Sequence, residues 1–196
     1  LRWLSHAAPN LDEVAAALGR VNRDASLAGQ VISRIRGFLR AGEIRREPVD
    51  LARMLDELLQ MLQAMLSEAG VQVSVKLPDG QPRPIADPVQ LQQVILNLIV
   101  NGVDAMREQP GGAGRLHIEV APEAAGGLCF AVHDSGPGVA EGMEARLFEA
   151  FFSTKSDGLG MGLAISRSII ENHGGRLWLD RSEGPGACFK FTLPDQ

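Results

Sequence analysis

The sequence holds two cysteines in 196 residues, carries no excess of positive charge and contains no long apolar run. Each shortage removes a class of function. Cys129 and Cys188 stand alone in strand-like runs, so two buried thiols in a reducing compartment fit better than a disulfide or a metal site, with the cytoplasm as the default location. A formal net charge of -5 leaves no electrostatic footprint for nucleic acid. No apolar stretch approaches the roughly 20 residues that span a bilayer, so no membrane contact by this chain is expected. Internal repeats and low-complexity tracts are also missing. The chain starts at Leu1 with neither an initiating Met nor a signal sequence, and the expectation is a piece of a longer protein, soluble or membrane-anchored. What is present, 45% hydrophobic residues with mixed charge, suits one sizeable globular domain with an appendage.

The appendage comes first. Leu1 to His6 read as the tail of a helix stopped by Pro9, and Asn10 restarts one with Glu13 placed for a capping box. Leu11, Val14, Leu18, Val21, Ala25, Ala28, Ile32, Ile35 and Leu39 then step by three and four residues in turn. One isolated helix cannot bury such a seam, so a helix over 10–42, within a helical region 1–43, is expected to join an inter-helix bundle and make the chain a homodimer. Ala41 to Glu47 read as a linker ahead of Pro48, and a second domain spans 48–196.

In that domain Leu51 to Leu66 carry a helical stripe closed by Gly70, and Val71, Val73, Val75 and Leu77 alternate as a strand. Asp87, Pro88 and Gln90 write the start of a second helix, with Gln90 at the return position of a capping box. Leu91, Val94, Ile95, Leu98, Ile99 and Met106 give that helix its core side. Its other side is unusual: Gln90, Gln93, Asn97, Asn101 and Asp104 follow the same period. A solvated face would carry Glu, Lys and Arg, since Asn costs a helix roughly 0.5 kcal/mol against Ala. Uncharged amide oxygens can bind a hard cation such as Mg²⁺ beside phosphates, although a plain polar face is the alternative. Leu116 to Val120, Leu128 to His133, Leu177 to Asp180 and Cys188 to Leu193 supply further strands. Strands in adjacent pairs between helices predict an α+β fold, a two-layer α/β sandwich whose mixed sheet has helices on one face.

Two glycine motifs carry the remaining chemistry. Asp134-Ser-Gly136-Pro-Gly138 follows a strand, placing a carboxylate that can accept a base's amino hydrogen beside glycines that admit the backbone close to a ring, although the same residues make an ordinary turn. Gly158-Leu-Gly160-Met-Gly162 runs directly into an apolar helix, Leu163 to Ile170, so backbone N–H groups and the helix dipole can face phosphates. No Gly-Lys-Ser/Thr follows, and no strand directly precedes it, so neither the Walker nor the dinucleotide loop applies. Thr154 and Lys155 are placed to reach phosphate oxygens. His117, His133 and His173 read as structural.

These blocks, in this order, resemble the ATP-binding domain of bacterial sensor histidine kinases, within the superfamily that includes gyrase-type topoisomerases. The N box resembles Asn97-Leu-Ile-Val-Asn101-Gly-Val-Asp-Ala, the first glycine box Asp134 to Gly138, the F box Phe148 to Phe152, the second glycine box Gly158 to Leu163, and the third Gly184-Pro-Gly186-Ala-Cys-Phe. The resemblance implies that ATP and Mg²⁺ are the cofactors, that Asn101 holds the metal, and that Asp134 accepts from the adenine amino group. It places Asn97, Gly136, Gly138, Phe152, Thr154, Lys155, Gly158, Leu159, Gly160, Met161, Gly162 and Leu163 around the nucleotide, with Gly158, Gly160 and Gly162 in a mobile lid. Hydrolytic relatives carry a Glu one helical turn before the metal-binding Asn; here that residue is Asn97, which implies transfer of the γ-phosphoryl group to a histidine rather than to water. Ala187 stands where the family often has a hydroxyl residue, which takes away a water-linked contact to adenine. The heptads resemble the second helix of the dimerisation and phosphoacceptor domain. His6 lacks the following Glu or Asp of the acceptor motif, so the chain is expected to hold no acceptor histidine, and its implied partner is the receiver domain of a response regulator. A nucleotide-gated interaction module with little or no transfer is the alternative.

Overall fold

The computed structural model describes residues 13, 14, 17, 45–80, 82–107, 113–124, 126–153, 160–181 and 184–195. The chain divides into two units, Leu1–Gly42 and Glu43–Gln196. Of the first, Glu13, Val14 and Ala17 are described, all helical; the rest of the heptad helix expected over 10–42, and with it the dimer seam, lies outside the described residues.

The second unit runs β1 (Glu47–Pro48), α1 (Leu51–Glu68), β2 (Val71–Lys76), β3 (Ile85–Ala86), α2 (Pro88–Arg107), β4 (Gly114–Pro122) and β5 (Leu128–Asp134). A 3-10 turn at Arg146–Phe148 then precedes α3 (Gly162–Asn172), β6 (Leu177–Asp180) and β7 (Cys188–Leu193). Five strands form one mixed sheet in the order β2-β4-β5-β7-β6. Only the β2–β4 pair is parallel; the other three pairs are antiparallel.

Period-two alternation decides which sheet face is core. Leu116, Ile118 and Val120 of β4 and Phe130 and Val132 of β5 are buried, while His117, Glu119, Ala131 and His133 point the other way and are partly exposed. Leu55 and Leu58 of α1, Leu91, Ile95, Leu98 and Ile99 of α2, and Ile165, Ile169 and Ile170 of α3 join the inward residues in one core. Phe130 and Phe191, direct cross-strand partners, stack there with ring centroids 4.5 Å apart. The outward face is held by ion pairs instead, Lys76–Glu119 at 2.6 Å and Lys190–Asp180 at 2.7 Å. Lys76 holds the Glu119 carboxyl below the usual range, chiefly through that hydrogen bond.

Three local expectations need correction. The expected linker ends in a strand: Glu47 and Pro48 pair with Ala86 and Ile85, and Val49 N–H donates to the Pro84 carbonyl at 2.9 Å. A two-residue strand has no period to read, and Pro48 is tolerated because a two-strand ribbon needs few donors from it. Asp87 does cap α2, its Oδ1 accepting from Val89 N and Gln90 N at 3.1 Å each. The return acceptor of the box is replaced, however: Asp87 N–H donates to His173 Nε2 at 3.0 Å rather than to Gln90. Cys188 is buried as expected, but Cys129 is only half-buried; both are free thiols, and burial pushes the Cys129 thiol up from its ordinary pKa.

Candidate functional site

The site is built where α2 crosses the end of β5. Gly102 makes the crossing close: a Cβ there would sit 3.0 Å from Leu116 Cδ1 and 3.1 Å from Asp134 Cβ. The residue before it on the helix, Asn101, is half-buried, as is Asp104. Asn97, one turn earlier, is 7% exposed, and its Nδ2 donates to Ser166 Oγ at 3.2 Å and to the Gly162 carbonyl at 3.3 Å. The amide stripe therefore divides. Asn97 ties α2 to the beginning of α3, whereas the helix turn that carries Asn101 meets Asp134 through Gly102.

Asp134 is 5% exposed at the end of β5. Its Oδ1 accepts from Gly136 N at 2.8 Å and from Ala187 N at 3.3 Å, and its own N–H donates to the Ala187 carbonyl at 3.0 Å. A buried carboxylate without donors would cost several kcal/mol; here two backbone N–H groups satisfy one oxygen and aim the group. The two glycine turns pack backbone to backbone around it. Gly138 has φ +76, and a Cβ there would fall 2.9 Å from the Gly186 carbonyl; Gly186 has φ +99, and its Cβ would fall 1.8 Å from the Asp134 carbonyl. Ala187 matters here through its backbone, which is why loss of a hydroxyl at that position leaves the carboxylate held. Arg181 braces the following loop, donating to Glu144 Oε1 at 2.5 Å and to the Ala140 carbonyl at 3.0 Å. The Glu144 carboxyl is held below its ordinary range, first by its own backbone N–H and then by Arg181.

Sequence reasoning grouped Gly186 with a motif but did not see it as part of this cradle. Gly186→Ala is expected to cost about 1–2 kcal/mol for the left-handed backbone and about 1–3 kcal/mol more for the forced shift against Asp134. Melting should fall by roughly 2–4 °C per kcal/mol in a chain of this size. An unchanged melting temperature would contradict the close packing.

On the other side, Phe152 lies under the Arg146 guanidinium, 4.3 Å from the ring centroid. Phe151 beside it is 77% exposed and adopts φ 68, a conformation that a non-glycine residue enters at a cost. Gly160, with φ +63, packs on both: a Cβ there would come within 2.5 Å of the Phe151 and Phe152 carbonyl carbons. The chain then enters α3 at Gly162, and the cap residue Met161 makes no side-chain hydrogen bond to the helix start, whose first N–H groups and dipole suit an anion. Met161 and Leu163 flank that start, half-buried. Thr154, Lys155, Gly158 and Leu159 lie outside the described residues. The structure thus joins Asn97 to Gly162, Gly160 to Phe151 and Phe152, Gly138 to Gly186, and Asp134 to Gly136 and, through Gly102, to the helix turn of Asn101.

A family described as histidine kinase-, DNA gyrase B- and HSP90-like ATPase matches residues 86–196. That span covers the whole cradle. The chain belongs to this ATPase family. Among curated relatives it is 39% identical over 95% of its length to the sensor protein FixL of Bradyrhizobium diazoefficiens, spanning 36% of that protein. It is 35% identical over 98% of its length to the sensor histidine kinase TmoS of Ectopseudomonas mendocina, spanning 20% of it. The chain thus covers well under half of these relatives. Full-length ShkA, solved in complex with AMPPNP, superposes with a TM-score of 0.76 at 30% identity, over 96% of this chain and 39% of that one. Histidine kinase ThkA, solved with the response regulator protein TrrA, shares the fold, with a TM-score of 0.74 at 22% identity over 100% of this chain and 55% of that one. In this member of the ATPase family, no cluster of three or more His, Cys, Asp or Glu side chains that could hold a metal occurs among the described residues. No described helix is long and apolar enough to cross a membrane.

Proposed function

We propose that the chain is the ATP-binding catalytic region of a sensor histidine kinase, which binds Mg²⁺–ATP and transfers the γ-phosphoryl group to a histidine for relay to a response regulator. The observation that carries this reading is Asp134, a buried carboxylate fixed by Gly136 N and Ala187 N and touching the Asn101 turn of α2 through Gly102. Such a group recognises an amino-bearing ring, and a base held there has its phosphates directed toward Asn101 and the open start of α3. The similarity to TmoS, a sensor histidine kinase, and to the sensor protein FixL, and AMPPNP in ShkA, support the same reading. The finer fold assignment, a two-layer sandwich of this ATP-binding type preceded by a helical hairpin that forms a dimeric bundle over 1–43, is part of the proposal. So is a receiver domain as partner, as ThkA has with TrrA.

The residues present fit Mg²⁺ in one particular way. A single neutral amide oxygen, Asn101 Oδ1, suits a hard ion that keeps several waters and takes its other oxygens from phosphates. Bound there, the ion would neutralise charge on the β- and γ-phosphates. Around it, the protein positions more than it reacts: Asp134 orients the base, and the α3 N–H groups receive phosphate oxygens. Asn97 spends its amide hydrogens on Gly162 and Ser166. Its amide has no basic site for a water proton, which disfavours hydrolysis and agrees with the histidine acceptor that the resemblance implies, whose nitrogen lone pair would form the P–N bond as the bond to the ADP leaving oxygen breaks.

Asp134→Asn tests the base contact. The amide can keep its oxygen toward Gly136 and Ala187, but it then presents hydrogens to the adenine amino group, and ATP affinity by calorimetry should weaken by about 1.5–3 kcal/mol. Guanine nucleotides, with a carbonyl at that position, should lose nothing. Equal affinity of the variant and the native chain for ATP would sink the assignment.

A further inference from the structure

His173 closes the far end of α3 and is 1% exposed. An apolar residue would fill that place at less cost, because a buried imidazole needs partners for both nitrogens. It has them, and they belong to different elements. Nδ1 faces the Ile169 carbonyl at 2.8 Å, an oxygen that can only accept, so Nδ1 carries the hydrogen. Nε2 is then the acceptor, and it takes the Asp87 N–H at 3.0 Å. One nitrogen fixes the tautomer and the ring; the other holds the cap residue of α2.

The backbone there is equally fixed. His173 N–H donates to the Ile169 and Ile170 carbonyls, Gly174 N to Glu171 O and Gly175 N to Ile170 O. A Cβ on Gly175 would fall 1.8 Å from the Thr192 carbonyl, so the turn after α3 is pressed onto β7. The first described residues of the unit join the same place: Arg46 Nη2 donates to the Asn172 carbonyl at 2.8 Å and Arg45 N to Asp87 Oδ2 at 3.3 Å.

The two helices are consequently clamped twice. One clamp is Asn97 on Gly162 and Ser166, at the phosphate end of α3; the other is His173 on Asp87, a helix length of about 16 Å away at 1.5 Å per residue. With one clamp a rigid helix can pivot, and with two its register along α2 is set. We propose that His173 is a positioning residue of the nucleotide site, holding the far end of α3 so that Gly162 meets Asn97 and the phosphates in register. This rests on the reading of the site as a nucleotide site. Adenine binding, which depends on β5 and the Asp134 cradle, should not feel it; phosphate binding should.

The test compares adenosine, by NMR titration, with Mg²⁺–AMPPNP, by calorimetry, on the 196-residue chain. His173→Ala and His173→Phe should leave adenosine affinity within about twofold and weaken AMPPNP at least about tenfold, since displacement of a positioning element by about 1 Å can cost up to about 100-fold. The phenylalanine keeps the ring volume without either hydrogen bond, and so carries the comparison if the alanine variant does not fold. His173→Gln, whose amide can donate to Ile169 O and accept from Asp87 N, should recover most of the AMPPNP affinity. If adenosine and AMPPNP weaken by the same factor in His173→Phe, or neither changes, the positioning role is refuted. A native chain that binds adenosine as tightly as AMPPNP would instead refute the nucleotide reading itself.

Discussion

Asn101→Ala is expected to make ATP binding insensitive to Mg²⁺. The native chain should bind ATP more tightly as Mg²⁺ is added, because Asn101 Oδ1 would hold an ion that neutralises phosphate charge, and among the described residues no cluster of three or more His, Cys, Asp or Glu side chains forms a separate metal site. Removing a group that merely supports a metal ligand costs about 10–100-fold, and removing the ligand oxygen should cost at least as much of the Mg²⁺-dependent affinity. Calorimetry with and without Mg²⁺ reads this directly. Asn101 is half-buried, so the alanine should leave the fold intact. Asn101→Asp keeps an oxygen and should keep the Mg²⁺ response, with ATP in the absence of Mg²⁺ weakened by the added charge. If Asn101→Ala retains the full Mg²⁺ enhancement, the ion is held elsewhere and the role given to the amide stripe is wrong.

The contrast between Asn101 and Asn97 shows what the sequence could and could not reveal. Both sit on one helical stripe, and the periodicity that places them there is local, as are the Asp87 cap and the alternation in β4 and β5. Those features were legible because each is written within a few residues. The mixed sheet followed from strand pairing by the same logic. What divides the stripe is not local: Asn97 Nδ2 reaches Gly162 and Ser166, 65 and 69 residues away, and nothing in its own segment marks it as a tie. His173 was read as structural, which is right about its burial and silent about its partner, because Asp87 lies 86 residues before it. The β1–β3 ribbon escaped for the opposite reason, being too short for any pattern. Gly186 and Ala187 escaped because they act through backbone atoms, which carry no residue-type signal beyond the tolerance of glycine for φ +99. Thus the candidate side chains could be placed on their elements from the sequence, and the contacts that hold those elements together could not.

The chain by itself is expected to bind nucleotide without labelling itself from ATP. It has four histidines, and three are poor candidates for the reacting nitrogen. His173 is buried with both ring nitrogens engaged. His133 meets the Pro185 carbonyl through Nε2 at 3.0 Å, and His117 meets Ser74 Oγ through Nδ1 at 2.8 Å; both side chains lie on the sheet face turned away from the helices and therefore from α2 and α3. His6 lies outside the described residues, and the sequence around it lacks the acidic residue that follows an acceptor. In-line transfer needs a nucleophile within about 3–3.5 Å of the γ-phosphorus, and the rate gained from such placement is worth about 7–11 kcal/mol, so a histidine that cannot reach it is effectively silent. Adding a separate polypeptide with a histidine-bearing helix that completes the heptad bundle should restore labelling. The label should be acid-labile and alkali-stable, as a phosphohistidine is, and Asn101→Ala in this chain should abolish it. His6→Ala should leave it unchanged. If the chain alone takes up phosphate from ATP and His6→Ala removes that label, then His6 is the acceptor and the N-terminal helices pack differently from the heptad reading.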